Sequence, residues 1–382
     1  MTARVAHGRD EAMVAALPPH PALPPAPTTK EEWNRYVDAP ASTAAPLLSV
    51  ADYSRLPAGE KEAYDAARLD HHGGFAPVST PWMRDTHARL ARQLGANLRN
   101  RQPGARRGSV ISAKANRGKT TICMSFAKAY QRSVFARHGH LTPAGDRLIP
   151  VVYVTLPDDC RTKWLDLAIC EFYAVQLPGR PTKDDLVRAI QRVARLTMTT
   201  LFIVDDIHYL NLATREGQAV NDHLKYLANT VAATFVYAGI DCELTGLMTE
   251  GFSPSTHSRS QTKSRFTLLD VGSFDDGTAD GRKQWRALLA SFEPELVLLE
   301  ARPGDLSKTL APYLYWRTAG VVGTISALLR EGAALAIERG TERLSESLLD
   351  EIEVDADAEG QASRRKRPGP SAPAGEPLSR PA

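Results

Sequence analysis

The chain has 382 residues, of which 24% are charged and 43% hydrophobic, so we expect a globular protein with one large or two modest domains. No apolar run approaches the ~18 residues of a membrane span, and no apolar core with a cleavage site stands at the N-terminus, so neither a membrane nor a secreted protein is expected. The net charge of +3 neither requires nor excludes nucleic acid. The four cysteines form no C-x-x-C pair and are predicted to be reduced core residues of a cytoplasmic protein, not metal ligands: Cys123, Cys160, Cys170 and Cys242.

The N-terminal part divides into two segments. Residues 1–29 are rich in proline and alanine and are predicted to be a disordered arm. Thr29 and Glu32 have the spacing of a capping box, which predicts a helix beginning at residue 30. Prolines interrupt the helical pieces that follow, so residues 30–74 are predicted to be a helical appendage with a packing or partner-binding role.

A clear helix is predicted after residue 80. Thr80 is placed to cap it, Pro81 suits its first position, and its apolar side includes Met83, Leu90 and Leu94. The arginine-rich loop at 99–107 follows. It is either a solvated linker or a contact to nucleotide or nucleic acid, and the sequence leaves both open.

A phosphate-binding loop is predicted between a short strand ending near Ser112 and a helix beginning at Lys119. Backbone N–H groups and the positive end of that helix would face a phosphate chain. Lys119 would reach the β- and γ-phosphates, and the Thr120 hydroxyl would bind Mg²⁺. An ordinary helix start with a basic residue is the alternative. The predicted nucleotide-binding residues are Ala113, Asn116, Arg117, Gly118, Lys119, Thr120 and Thr121.

Two acids follow a second apolar strand at residues 200–204. Carboxylates at the C-terminal end of a parallel strand lie where ligands bind in open α/β sheets. Asp205 is therefore predicted to hold Mg²⁺ directly or through water, and Asp206 to orient or polarise the attacking water. His208 either faces this site or satisfies its own loop.

The remaining pattern alternates apolar strands with helices, which predicts an α/β fold with a helix-covered parallel sheet. Further strands are expected at 148–156, 233–239 and 265–271. The predicted domains are an α/β nucleotide-binding domain at 75–275, an all-helical lid at 276–353 and a disordered charged tail at 354–382.

These stretches together resemble AAA+ P-loop ATPases, and most closely the TniB/TnsC-type ATPases of transposition systems. The resemblance rests on PVSTPWMRDTHARL, GKTT, IPVVYVTLP, LFIVDDIHYL, SRFTLLDV and AGVVGTISALLREGAALAI, which lie within residues 75–350. It implies a homo-oligomeric ATP switch, with ATP and Mg²⁺, that assembles on duplex DNA as a ring or filament. It also implies a transposase partner, with or without a target-selection protein, and hydrolysis that controls assembly.

The resemblance also assigns roles to individual residues. Arg265 would be an arginine finger acting on a neighbouring subunit's nucleotide, with Lys119 and Asp206 as the other catalytic residues. Arg161 and Lys163 either contact the DNA backbone or lie in an ordinary exposed loop. In the first case the contacts would not read the DNA sequence, and binding would weaken steeply with salt.

Several positions depart from the family pattern. Ala113 replaces the first glycine of the loop, where a positive φ would be costly, and Asp206 replaces the usual glutamate. Ile240 stands where a polar residue is often found, and Thr324 lies near the expected position of a second sensor, with Arg330 further along. These departures predict slow turnover. Another AAA+ or signalling NTPase, such as a replication loader or a defence ATPase, and a nucleotide-binding scaffold without turnover are the alternatives.

Overall fold

A five-stranded parallel sheet forms the centre of the protein. The computed structural model describes residues 26–40, 44–158, 160–177, 179–210, 214–242 and 266–369. The strands are β1 (Gly108–Ser112), β2 (Val151–Thr155), β3 (Leu201–Asp205), β4 (Thr234–Gly239) and β5 (Phe266–Asp270). Their order across the sheet is β2-β3-β4-β1-β5, and every pair is parallel. The predicted α/β class and parallel sheet are therefore confirmed.

Helices precede, cover and follow the sheet. They are α1 (Lys30–Asp38), α2 (Val50–Arg55), α3 (Ala58–Gly73), α4 (Pro81–Arg99), α5 (Lys119–His138), α6 (Thr162–Phe172), α7 (Lys183–Leu196), α8 (Arg215–Thr230), α9 (Ala279–Phe292), α10 (Ala311–Thr318), α11 (Val322–Glu338), α12 (Glu346–Leu349) and α13 (Ala356–Arg364). Short 3₁₀ turns lie at Ile207–Tyr209 and Glu293–Glu295, and a π-helical turn lies at Asp305–Thr309.

The central strands are buried, and most of their side chains are apolar on both faces. Every residue of β1, β3 and β4 is buried, whereas β5, at the sheet edge, is only partly covered. Phe202 and Phe235 stack across β3 and β4 with ring centroids 4.8 Å apart. Such two-sided burial is typical of a parallel sheet covered by helices. Because all five strands are parallel, their C-terminal ends lie at one edge of the sheet.

The predicted helix starts are present. Thr29 and Glu32 form a full capping box, and the Thr80 hydroxyl accepts a hydrogen bond from the Met83 N–H. The predicted apolar side of α4 is buried through Met83, Leu90 and Leu94. Local capping chemistry thus fixes where these helices begin.

The N-terminal appendage packs against both parts of the molecule. Trp33 of α1 is buried against the sheet domain, and Arg68 of α3 is buried against the helical lid, where it bonds to Glu342. The appendage therefore has a packing role, one of the two alternatives predicted for it.

The lid forms a second core of its own around α9, α10 and α11. Within the lid, the chain makes the π-helical turn and then begins α10 at Ala311. Pro312 explains the break, since proline lacks the N–H that would continue a helical ladder and suits a first turn. Within the described ranges, no single helix is long and apolar enough to cross a membrane; α10 and α11 pass that test only as a pair, bent by 116°.

Helix α13 corrects the prediction of disorder beginning at residue 354. The Asp355 side chain caps α13, and Ala358 and Ala362 are buried. The Trp316 indole N–H donates to the Ala362 carbonyl at 3.0 Å. Tertiary packing thus overrides a charged composition. Of the two segments predicted to be disordered, 1–29 and 354–382, residues 1–25 and 370–382 lie outside the described residues.

Candidate functional site

The loops after β1, β3 and β4 meet closely at the C-terminal edge of the sheet. The Ala113 N–H donates to the Gly239 carbonyl at 3.2 Å, and the Cys242 N–H donates to the Ser112 hydroxyl at 3.0 Å. A Cβ on Gly239 would lie 3.0 Å from the His208 nitrogen and 2.8 Å from the Cys242 sulfur. Glycine is therefore needed where these loops approach each other.

The strain predicted at Ala113 does not occur. Ala113 is not among the described residues with positive φ, because its N–H extends the pairing of β1 with β4. The left-handed residues of the loop are Asn116, with φ +57°, and Gly118, with φ +83°. Asparagine and glycine both adopt this conformation readily. The turn of the loop is thus made without a glycine at 113.

Lys119 lies at the start of α5 with its ammonium group enclosed. The residue is only 8% exposed, and Nζ donates to the carbonyls of Ala113 at 3.1 Å and Lys114 at 3.0 Å. Burial lowers the pKa of Lys119, while the nearby Asp205 and Asp206 oppose this shift. Thr120, the next residue, is exposed on the first turn of α5. A buried ammonium group at the N-terminus of a helix favours anion binding, because its charge adds to the positive end of the helix dipole.

The two acids at the end of β3 have different environments. Asp205 is fully buried, and its Oδ1 accepts the Asp206 N–H at 2.9 Å while its Oδ2 accepts the Tyr153 hydroxyl at 2.8 Å. Asp206 has a left-handed φ of +56° and a half-buried side chain. Burial and the neighbouring Asp205 raise the pKa of Asp206. The pair therefore combines one carboxylate whose two oxygens are both hydrogen-bonded with one whose pKa is raised.

His208 faces these acids. Its Nδ1 lies 3.9 Å from an Asp206 carboxylate oxygen and is buried without a hydrogen-bond partner among the described atoms. Burial lowers the pKa of His208, so the neutral imidazole is favoured. Of the two alternatives left by the sequence, the position beside the site is the one found.

A cavity of about 280 Å³ separates the loop from the lid. Arg330 of α11 lines it, with its guanidinium 5.9 Å from the Phe75 ring centroid and its Nε buried without a partner. Burial lowers the pKa of Arg330. Arg330 was not among the predicted site residues. The apolar residues of 75–83 that line the cavity were not predicted either, since no local pattern shows that this segment faces the lid. Other lining residues are Phe75, Val78, Met83, Arg117, Gly118, Thr121 and Val322.

The lid also contacts the loop directly. The Gly323 N–H donates to the Asn116 carbonyl at 2.9 Å, and a Cβ on Gly323 would lie 2.6 Å from that oxygen. The Asn116 amide and the Thr324 hydroxyl both donate to Asp355 Oδ2, at 3.3 and 2.5 Å. Although burial raises the pKa of Asp355, the hydrogen bond from Thr324 helps to lower it overall. Loop, lid and α13 are thus joined at one point.

These groups fit a nucleotide with a magnesium ion. The Lys119 ammonium is held only by loop carbonyls among the described atoms, which phosphate oxygens could replace, and the buried Nε atoms of Arg117 and Arg330 lack partners. Hydroxyl and carboxylate oxygens, as in Thr120 and Asp205, are ligands that Mg²⁺ prefers.

The other predicted residues are more dispersed. Arg161 and Lys163 are exposed at the start of α6, after β2 and thus at the same sheet edge. Arg106, in the arginine-rich loop, bonds to carbonyls of its own loop, including Gln102 at 2.9 Å. Arg265 lies outside the described residues, so its role remains a prediction.

Solved structures show the same architecture. The ORC1 protein of Aeropyrum pernix, in a complex with DNA, superposes with a TM-score of 0.54 at 17% identity, covering 78% of this chain and 69% of that one. The Aeropyrum pernix ORC2 protein, in ADPNP-ADP complexes, gives 0.52 at 15% identity, covering 74% and 70%. No curated protein matches the chain. The fold is that of AAA+ P-loop NTPases, as predicted.

The sequence itself identifies the family. The family described as Bacterial TniB protein matches residues 79–274, more than half of the chain. This segment runs from the cap of α4, through the phosphate loop and the two acids, to the residues just before the lid. The chain therefore belongs to the TniB family.

Proposed function

We propose that this protein binds ATP with Mg²⁺, hydrolyses it slowly, and assembles in its ATP form on duplex DNA to recruit or activate a transposase. One observation carries the ATP site. The buried Lys119 ammonium lies at a helix N-terminus beside Asp205 and Asp206, below a cavity that the lid closes.

The phosphate chain would lie along the loop. Lys119 Nζ would exchange the carbonyls of Ala113 and Lys114 for phosphate oxygens, and the N–H groups of Gly118, Thr120 and Thr121 would add donors at the helix start. Thr120 and Asp205 would hold the magnesium ion, which when bound neutralises phosphate charge. The base and ribose would fill the cavity between 75–83 and the lid.

Asp206 would orient the attacking water and accept its hydrogen bond in the ionised form. Its pKa is raised by burial and by Asp205, so a larger fraction is protonated than in an ordinary aspartate. Its side chain is also shorter than a glutamate by one methylene. Both properties support slow turnover. They also favour the second candidate, a scaffold that binds nucleotide without turnover.

Phosphate release separates these two candidates. Steady-state release should exceed background, with and without DNA, and should be lost in Lys119→Ala. If the release stays at background and Lys119→Ala changes nothing, the protein is a scaffold. Arg265→Ala should leave ATP binding intact and reduce hydrolysis, because a finger acts on a neighbour's γ-phosphate. Equal loss of both would point to a folding role.

DNA binding is proposed from the family and from two exposed cations. Arg161 and Lys163 are both exposed at the edge of the sheet that carries the ATP site. Contacts to backbone phosphates would be indifferent to sequence and sensitive to salt. The double variant Arg161→Ala/Lys163→Ala should bind duplex DNA more weakly and with a smaller salt slope, whereas Lys283→Ala, an exposed lid lysine, should not.

Electron microscopy tests assembly most clearly. With duplex DNA and a slowly hydrolysed ATP analogue, the protein should form rings or filaments, and with ADP it should not. Particles that stay monomeric with the analogue would contradict the transposition role and favour another kind of AAA+ or signalling NTPase.

A further inference from the structure

Tyr153 lies behind the sheet-edge acid Asp205. It points from the middle of β2, is 2% exposed, and donates its hydroxyl to Asp205 Oδ2 at 2.8 Å. The other oxygen of the carboxylate accepts the Asp206 N–H at 2.9 Å. Both oxygens of a fully buried carboxylate are therefore fixed, and the lone pairs that remain point in defined directions.

Tyr153 is in turn held by the N-terminal helix α1. The Trp33 ring, 1% exposed, stacks on the Tyr153 ring with centroids 5.7 Å apart and planes 9° from parallel. The Trp33 indole N–H donates to the Gln131 side chain at 2.9 Å, and the Gln131 amide donates to Asn34 at 2.8 Å. Gln131 belongs to α5, the helix that begins with Lys119. One cluster thus connects α1 with both halves of the candidate ATP site.

We propose that Tyr153 is a positioning residue that orients Asp205 toward the metal. We further propose that Trp33, by holding the Tyr153 ring in place, couples helix α1 to the ATP site. This inference rests on the proposed ATP function. Partners of this kind orient metal-binding carboxylates, and their loss typically reduces metal affinity or activity by about 10- to 100-fold.

A matched tyrosine separates positioning from stability. Tyr173, at the end of α6, is also buried and donates its hydroxyl to the Thr199 hydroxyl at 2.7 Å. Thr199 precedes β3, so it lies at the sheet edge opposite Asp205. Tyr153→Phe and Tyr173→Phe each remove one buried hydroxyl and its hydrogen bond. Each should lower the stability of the fold, which thermal denaturation measures.

The test measures ATP affinity of the full chain in EDTA and in Mg²⁺, followed by single-turnover hydrolysis. In EDTA, wild type, Tyr153→Phe and Tyr173→Phe should bind ATP equally. In Mg²⁺, wild type and Tyr173→Phe should gain affinity, whereas Tyr153→Phe should lose most of that gain and hydrolyse ATP about tenfold more slowly. Trp33→Leu removes the stacked ring. It should reduce both the Mg²⁺-dependent gain in ATP affinity and the hydrolysis rate, each by less than Tyr153→Phe does.

Two results would overturn the inference. Tyr153→Phe could match Tyr173→Phe in Mg²⁺ affinity gain and in rate, which would leave Tyr153 a structural residue. It could also lose affinity equally in EDTA and in Mg²⁺, which would indicate a general loss of the site. A wild-type protein whose ATP affinity ignores Mg²⁺ would instead contradict the proposed function, and the role given to Tyr153 would fall with it.

Discussion

Arg68 and Lys119 are both buried cations, and their surroundings differ. Arg68, which joins α3 to the lid, is fully buried, and both of its terminal nitrogens bond to Glu342, at 2.6 and 3.0 Å. Asp65 and the Val297 carbonyl add further contacts. Lys119, at the sheet edge, bonds to loop carbonyls alone, while Asp205 and Asp206 act on it without an ion-pair contact in the described residues.

The pKa directions express the same difference. Burial lowers the pKa of Arg68, but its hydrogen bonds to Glu342 and Asp65 outweigh that effect and raise it overall. Burial also lowers the pKa of Lys119, and the acids nearby do not restore it. A buried charge paired with carboxylates stabilises a packing contact, whereas one that bonds only to carbonyls is available to a ligand.

Breaking the carboxylate-paired charge of Arg68 should produce the largest effect. Arg68→Ala leaves Glu342 buried without its counter-charge, so we expect a loss of about 3–5 kcal/mol in the free energy of unfolding. Arg55→Ala, which removes an exposed arginine bonded to Asp52 on α2, should cost less than about 1 kcal/mol. Chemical denaturation measures both. The double variant Arg68→Met/Glu342→Leu should lose less than Arg68→Ala, and a cost for Arg68→Ala no larger than that of Arg55→Ala would contradict the comparison.

Removing the Lys119 charge should have the opposite effect, with a large loss of activity and a small loss of stability. Lys119→Ala should reduce ATP turnover by about 100-fold, since a preorganised donor to the phosphates is lost. It should change thermal stability little, because a buried ammonium with weak partners contributes little to folding. Phosphate release and thermal denaturation give the two readouts, with Lys283→Ala as the exposed control. A stability loss as large as that of Arg68→Ala would break the contrast.

Asp206 should tune the rate rather than the fold. Asp206→Asn should slow hydrolysis by about tenfold, below the ~100-fold of a well-placed general base. Because the pKa of Asp206 is raised and its ionised form is needed, the rate should fall with decreasing pH, starting above the range of an ordinary aspartate. Rate–pH profiles of wild type and Asp206→Asn test this. A profile that keeps the same acidic limb in the variant would assign that limb to another group.

The smallest effect is expected where the lid touches the loop. Gly323→Ala places a Cβ 2.6 Å from the Asn116 carbonyl oxygen, so lid and loop must separate slightly. We expect ATP affinity to fall about fivefold, equivalent to about 1 kcal/mol of overpacking. Gly59→Ala, at a glycine with open space around it, is the matched control. Calorimetric titration with ATP measures both, and equal affinities would show that lid contact at this point is not part of nucleotide binding.

Much of the fold was predictable because its signals are local. The apolar runs of β2, β3 and β4, and the threonine caps at Thr29 and Thr80, specify elements within a few residues. The strand-loop-helix at Lys119 and the acids at the end of β3 follow from the same kind of pattern.

The rest depends on contacts between distant parts of the chain. Arg68 and Glu342 are 274 positions apart, and Tyr153 and Asp205 are 52 apart. No periodicity or cap encodes such pairs. The tyrosine in the largely apolar strand β2 was an available signal, and it indicates a hydrogen-bond partner without identifying it. Helix α13 likewise forms because Ala358 and Ala362 are buried where it packs against α10, and amino-acid composition does not show such a contact.

A structure with ATP and Mg²⁺, obtained from the Asp206→Asn variant to limit turnover, tests the central claim most directly. We expect Lys119 Nζ to leave the carbonyls of Ala113 and Lys114 for phosphate oxygens, with the base in the cavity beside Phe75 and Arg330. Nucleotide bound elsewhere, with Lys119 still on the loop carbonyls, would contradict the account.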